Sequence, residues 1–177
     1  DMLHSRLWGY FGKDGLSLAD VSDAGVASVV PALERAWRRC LETHLGHDPL
    51  VVSAGHPCGM EVAMPSPRQV GADRIANAIA ARTTYGAPVI VVDFGTATNI
   101  DVVDAEGRYR GGAISPGLML SAGALFSRAA KLASIPIEAP DHALGDSTEA
   151  ALQSGLVIGA AAQAEGLVAR IKAELGE

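Results

Sequence analysis

The sequence is poor in cysteine, with two residues, Cys40 and Cys58, in a chain of 177. They show no C-x-x-C spacing and no dense pattern, so no disulfide framework is encoded and a reducing, cytoplasmic setting is expected. Basic residues are in the minority, 14 Lys and Arg against 20 Asp and Glu, for a net charge of −6. That balance argues against a general nucleic-acid binder or a protein that coats anionic membranes, although a local basic pocket can still take an anionic substrate. No apolar run approaches the length needed to cross a bilayer, and the opening D-M-L-H-S-R-L-W lacks the basic-then-apolar order of a signal peptide. Repeats and low-complexity tracts are missing too. A small-molecule partner is expected, with neither nucleic acid nor membrane. What the chain has in quantity is apolar side chains, 49% of the total, enough for one large domain or two small lobes to bury a core. Asp1 falls inside a helix-like stretch and Glu177 just after another, so the chain is expected to be a fragment.

Turn residues and periodicity divide the sequence into alternating elements. Gly25 to Val30 suits a short buried strand. Pro31 then opens a helix with Leu33, Ala36, Trp37, Cys40, Leu41 and Leu45 at three- and four-residue steps, and Gly46 stops it. Leu50 to Ser53 is a second strand. Pro49, Pro57, Pro65 and Pro67 confine residues 54–70 to a loop, after which Asp73 to Thr84 reads as a helix with Ile75, Ala78 and Ile79 inward. Gly86-Ala87-Pro88 marks a lobe boundary. Val89 to Val92, Thr98 to Val103 and Arg108 to Ala113 form a meander with a turn at Asp104 to Gly107. A helix carrying Leu118, Ala122, Leu125, Phe126 and Ala129 follows, then the extended S-I-P-I-E-A-P at 134–140. The last helix starts near Asp146-Ser147-Thr148-Glu149 and runs to Leu175. Trp8 and Trp37, beside Leu7 and Leu33, are expected in the core. The sum is a mixed α/β arrangement.

Several stretches have the residue types of a site. In V-I-V-V-D-F-G-T-A-T-N-I-D-V-V (89–103), two apolar runs flank an acid, a glycine and two threonines. A carboxylate where a buried strand ends is held rigidly at a sheet edge, where ligands of α/β proteins gather, and Asp93 has that position. Gly95 lets a ligand approach the backbone, Thr96 and Thr98 offer hydroxyls to phosphate oxygens, and Asp93 can hold a cation that neutralises them. The same residues also suit an ordinary turn, with Asp93 as its cap. The letters D-F-G occur in protein kinases, but no G-x-G-x-x-G, V-A-I-K or H-R-D precedes them, which excludes that class. In V-G-A-D-R (70–74), Asp73 can take a proton from a substrate hydroxyl while Arg74 grips a carboxylate through its planar fork; a helix cap beside a solvated arginine is the plainer alternative. The glycines of G-G-A-I-S-P-G (111–117) suit a close backbone approach or a simple bend. Thr148, at a helix N-terminus, can donate to a ligand or cap the helix. His44, His47, His56, His142 and the cysteines never reach three or four ligands at familiar spacing, so no structural zinc is expected.

Taken together and in order, V-G-A-D-R-I-A-N-A-I-A-A (70–81), V-V-D-F-G-T-A-T-N-I-D-V-V (91–103), G-G-A-I-S-P-G (111–117), S-R-A-A-K-L (127–132) and S-T-E-A-A-L-Q-S-G (147–155) resemble the type III pantothenate kinases. The resemblance spans nearly all of the chain from about Leu16 onward. It implies the acetate-and-sugar-kinase/actin superfamily fold: an α/β chain of two ribonuclease-H-like lobes with ATP in the cleft, usually a homodimer with pantothenate near the subunit interface. Residues 1–86 would be the later part of the first lobe with the G-A-D-R loop, and residues 87–177 the second lobe without its last elements, the fold being incomplete at both ends. The implied reaction moves the γ-phosphoryl of ATP to the hydroxyl of pantothenate, the first step towards coenzyme A.

By motif, Asp73 is the implied proton acceptor, and Gly71, Ala72 and Arg74 line the pantothenate pocket with it. Thr148 is a second pantothenate contact and Thr96 an ATP contact. Asp93 is the implied ligand of a monovalent cation, K⁺ or NH₄⁺, and Mg²⁺ accompanies ATP. Two departures stand out. Met64 occupies the position, seven residues before Gly71, where the family has a tyrosine. The family's opening D-x-G-N-T strand has no match, since Asp14-Gly15 and Asp23-Ala24-Gly25 lack the pattern, and its later strand and glycine pair near the adenosine lie beyond Glu177. These residues by themselves are therefore expected to turn over poorly. A non-catalytic accessory or regulatory relative of the same fold is the second reading.

Overall fold

The structure, a computed structural model, describes residues 2–53, 55–56, 58–128 and 134–176. The chain divides into two compact units: Asp1–Tyr85 with Gly107–Tyr109, and Gly86–Glu106 with Arg110–Glu177.

In the first unit, α1 (Met2–Lys13) is followed by β1 (Gly25–Ala27), α2 (Pro31–Leu45), β2 (Leu50–Val52) and α3 (Ala72–Tyr85). Strands β1 and β2 are parallel, in the register Gly25↔Leu50, Val26↔Val51, Ala27↔Val52. Pro31 opens α2, where its missing N–H costs nothing, and Gly46 closes it at φ 76°, donating its N–H to the Glu42 carbonyl. Strand β1 ends three residues before the expected Val30. There the Ser28 hydroxyl accepts the Val30 N–H at 3.1 Å, turning the chain into the extended residue that must precede Pro31. Ala72, Ile75 and Ala78 form the buried stripe of α3, and Leu18, Val26, Cys40, Met60 and Val70 are buried in the same unit.

The tryptophans do not form this core. Trp8 is 66% exposed and Trp37 only half-buried. On α1 it is Leu7 and Phe11, one turn apart, that line a small apolar cavity with Leu18, Cys40, Leu41 and Leu45, and Trp8 points off that face. Leu33, 49% exposed, continues the α2 stripe but lies two turns before Cys40.

The second unit is built on a three-stranded sheet in the order β3 (Val89–Phe94), β4 (Ala97–Val103), β5 (Tyr109–Pro116). Strands β3 and β4 are antiparallel from Val89↔Val103 to Phe94↔Thr98. Asp93 and Phe94 thus belong to the ladder, and the turn is tighter than the sequence suggests. Strand β5 runs on to Pro116 instead of ending at Ala113. Gly112 permits this, because a Cβ there would run into the Ile100 carbonyl. Helix α4 (Leu118–Arg128) follows. The expected helical residue Ala129, and Ala130 to Leu132 of the S-R-A-A-K-L block, lie outside the described residues. The final helix is interrupted: α5 (Thr148–Gln153), a π turn over Ser154–Ile158, then α6 (Gly159–Leu175).

Candidate active site

The G-A-D-R block forms the first turn of α3. The Ile75 N–H reaches the Gly71 carbonyl at 3.2 Å, so the helix starts on Gly71. The exposed Asp73 turns its carboxylate back over that start, where Oδ1 accepts the Arg74 N–H at 2.9 Å. A Cβ on Gly71 would lie 2.5 Å from Asp73 Oδ1 and 3.3 Å from Val29 Cγ1. Glycine is therefore what allows the carboxylate this position. Ala72 is buried, and the Arg74 guanidinium lies 5.9 Å from the ring centroid of Tyr109.

Beside this turn is a cleft of about 560 Å³ lined by Ser28, Val29, Ser53, Gly55, Arg68, Gln69, Val70, Gly71 and Ala72. Ser28 and Ser53 are the residues that immediately follow β1 and β2. The cleft thus opens at the carboxyl ends of the parallel strands, where α/β folds bind ligands. Its size suits a small organic molecule. Arg68 adds positive charge. Sequence reading did not single out Ser28, Ser53 or Arg68; a hydroxyl directly after each of two parallel strands was the available signal. A second concavity, of about 620 Å³, sits at the amino ends of the same strands among Asp23, Ala24, Gly25, Asp48, Pro49 and Leu50. Its two acids make it a poor seat for an anion, and the Asp48 carboxylate is held by Arg38, with Nη2 to Oδ2 at 2.8 Å.

In the second unit Asp93 is half-buried and stands opposite Asn99 in the ladder, while Val91 stands opposite Asp101. Asp93, Asn99 and Asp101 therefore share one sheet face, the first two as direct cross-strand neighbours and Asp101 on the diagonal. Asp101 is fully buried. A set of oxygen donors of this kind matches a hard cation. Among the described residues, no three His, Cys, Asp or Glu come together as a metal centre. Sequence reading passed over Asp101, although its even spacing from Asn99 puts both on one face.

The turn after Phe94 is held from two sides: the Gly95 N–H donates to the Ala97 carbonyl at 2.9 Å, and the Gly117 N–H to the Thr96 carbonyl at 3.0 Å. A Cβ on Gly117 would strike the Gly95 and Thr96 carbonyls. The glycines of G-G-A-I-S-P-G thus bring two backbone segments together. Thr96 is exposed at the turn, whereas Thr98 is buried. At the start of α5 the cap is Ser147, whose hydroxyl accepts the Ala150 N–H at 3.1 Å. Thr148 is exposed in the first turn and is not the capping residue. The loop before it is tied down by the Ser154 hydroxyl on the Ala143 carbonyl at 2.6 Å and by Gly145, where a Cβ would meet the backbone of Ala150 and Ala151.

Gly71, Ala72, Asp73 and Arg74 thus adjoin one another at one helix start in the first unit, while Asp93, Thr96 and Thr148 belong to the second. Residues 1–170 match the family model described as type III pantothenate kinase. The chain belongs to the type III pantothenate kinase family. It is 48% identical over 162 residues to the type III pantothenate kinase of Thermomicrobium roseum, covering 92% of this chain and 62% of that protein. With the type III pantothenate kinase of Moorella thermoacetica it is 44% identical over 162 residues, covering 92% and 64%. The chain therefore spans less than two thirds of the length of these curated relatives. A solved structure from Campylobacter jejuni, described as a Baf family transcriptional activator, superposes with a TM-score of 0.59 at 20% identity, over 85% of this chain and 66% of that one. At that identity the likeness concerns the fold. Among the described residues, no helix of this family member is long and apolar enough to cross a membrane.

Proposed function

We propose that the protein phosphorylates pantothenate, moving the γ-phosphoryl of ATP to the pantothenate hydroxyl as the first step towards coenzyme A. The observation that carries this reading is the family match over residues 1–170, within which the G-A-D-R turn borders a cleft of substrate size. Asp73 is the general base: the Arg74 N–H fixes the rotation of its carboxylate through Oδ1, and the remaining oxygen takes the hydroxyl proton. The deprotonated oxygen attacks the γ-phosphorus, the bond to the β-phosphate oxygen breaks, and ADP leaves. Gly71, Ala72, Arg74 and Thr148 contact pantothenate, with the Arg74 guanidinium on its carboxylate. Thr96 contacts ATP. Mg²⁺ on ATP and a monovalent cation, K⁺ or NH₄⁺, held by Asp93 supply positive charge against the phosphates. The two units correspond in this reading to two ribonuclease-H-like lobes of the actin and sugar-kinase superfamily, divided near residue 86. The protein acts as a homodimer with its relatives' full length. The accessory reading has a shared fold at 20% identity behind it, against kinase names at 44% and 48%.

A coupled assay of ADP release by the full-length protein tests this. Wild type should release ADP only when pantothenate is present, and Asp73→Asn should lower kcat by roughly 10²- to 10⁴-fold, the usual contribution of a positioned general base. Equal activity in the variant removes Asp73 from that role. Absence of any pantothenate-dependent ADP release from wild type overturns the kinase reading itself.

A further inference from the structure

Tyr109 is remote in sequence from the G-A-D-R block, yet the three residues Gly107–Tyr109 group with the first unit. We infer that Tyr109 is a positioning residue for pantothenate binding, its ring being the platform that aims the Arg74 guanidinium. The inference rests on the reading of Arg74 as a pantothenate contact.

Tyr109 is 0% exposed, and Arg74 lies over its ring at 5.9 Å from the centroid. At that distance the negative face of an aromatic ring attracts a guanidinium. The backbone that carries the ring is held on both sides. The Tyr109 N–H donates to the Glu61 carbonyl at 2.8 Å, its carbonyl accepts the Ala63 N–H at 2.9 Å, and it forms a parallel bridge with Val62. Residues 61–63 thus pair with Tyr109 a few positions before the G-A-D-R turn. Arg82 adds a second fastening. From the far part of α3 it donates Nη1 to the Gly107 carbonyl at 3.0 Å and Nη2 to the Gly59 carbonyl at 2.7 Å. Gly107 itself sits at φ 77°, with space for a Cβ only 3.3 Å from Arg82 Cδ.

The helix that bears Asp73 and Arg74 therefore also clamps the segment that presents Tyr109. A guanidinium drawn to a fixed ring has fewer positions open to it, which favours planar, bidentate recognition of a carboxylate. An arginine on a solvated stem would have to order its rotamers at each binding event, and the ring removes part of that cost.

The test uses the full-length protein with phenylalanine and its mono-, di- and trifluorinated forms introduced at position 109. These keep the ring's shape while draining charge from its face. Tyr109→Phe should keep the pantothenate KM within about twofold. Across the fluorinated series that KM should rise stepwise, by roughly 2- to 30-fold in total, the range of a cation–π contact from exposed to desolvated. KM for ATP and kcat at saturation should hold. A flat series overturns the inference, as does a Tyr109→Phe variant that loses pantothenate affinity as fully as Tyr109→Leu, which would assign the effect to the hydroxyl. Arg74→Ala separates the two readings. If it leaves the pantothenate KM unchanged, the role of Arg74 fails; if it raises KM while the ring series is flat, only the platform fails.

Discussion

His47 sets both ring nitrogens against carbonyl oxygens, Nδ1 on Asp48 at 3.1 Å and Nε2 on Ser22 at 3.0 Å, with Asp23 Oδ1 3.8 Å away. Neutral imidazole has one N–H, so only the imidazolium satisfies both contacts. The bond to Asp48 and then that to Ser22 raise its pKa above the ordinary 6.5 against the opposing effect of desolvation, with the Asp23 and Asp48 charges adding less. Because the folded value is the higher one, this stabilisation is fully present below about pH 6.5 and is lost as pH rises through the folded pKa. Thermal melts of wild type and His47→Gln should therefore differ at pH 5.5 and converge by pH 8.5; a constant gap removes the titration. The residues of the candidate site were legible unevenly. Asp73 and Arg74 could be read as an acid and a base at a helix start. The reason for Gly71, a carboxylate folded back onto it, could not, since it depends on the rotation of one side chain. Thr148 reads in sequence as a ligand contact or a cap, and geometry gives the cap to Ser147.

At the scale of elements, helix α2 was legible because Pro31 and Gly46 punctuate it, and the hairpin β3–β4 because two β-branched runs flank a glycine. The π turn at Ser154–Ile158 was not, since Ala-rich sequence carries no mark of one extra residue in a helical turn. Nor was the exposure of Trp8, which depends on which stripe of α1 meets α2. Close approach of backbones was legible only as an abundance of glycine. Gly117 illustrates what that abundance does. A Cβ there would lie 2.6 Å from the Thr96 carbonyl oxygen and closer still to that of Gly95. Both obstacles are backbone, so neither can swing aside. Gly117→Ala should cost about 1–3 kcal/mol, the range for overpacking, read as a lower urea midpoint at constant m. It should also raise the KM for ATP, because the turn it displaces bears Thr96. An unchanged midpoint would mean that the Pro116-Gly117 segment yields freely and does not brace the turn.

Across the whole molecule, a mixed α/β composition was legible, but the membership of Gly107–Tyr109 in the first unit was not, because these residues lie more than twenty positions beyond the end of the helix they serve. Charge poses the larger problem at this scale. Under the proposed function a chain of net charge −6 has two anions to bind, which calls for local compensation by Arg68 and Arg74 and, in the second unit, by a cation on the face shared by Asp93, Asn99 and Asp101. Ligands that bind only the folded state raise its stability by mass action, by about 2.7 kcal/mol at a hundredfold excess over Kd. If Asp93 holds the cation beside the ATP phosphates, the two ligands must reinforce each other. In full-length wild type, the rise in Tm produced by MgATP should then be larger in potassium chloride than in choline chloride of equal ionic strength. Asp93→Asn should show one small rise, the same in both salts. Equal ionic strength keeps general screening out of the comparison, so a potassium increment that persists in Asp93→Asn would move the cation to other ligands. Loss of the increment with retention of the smaller ATP shift would assign the cation to Asp93 while leaving nucleotide binding to the turn that Thr96 occupies.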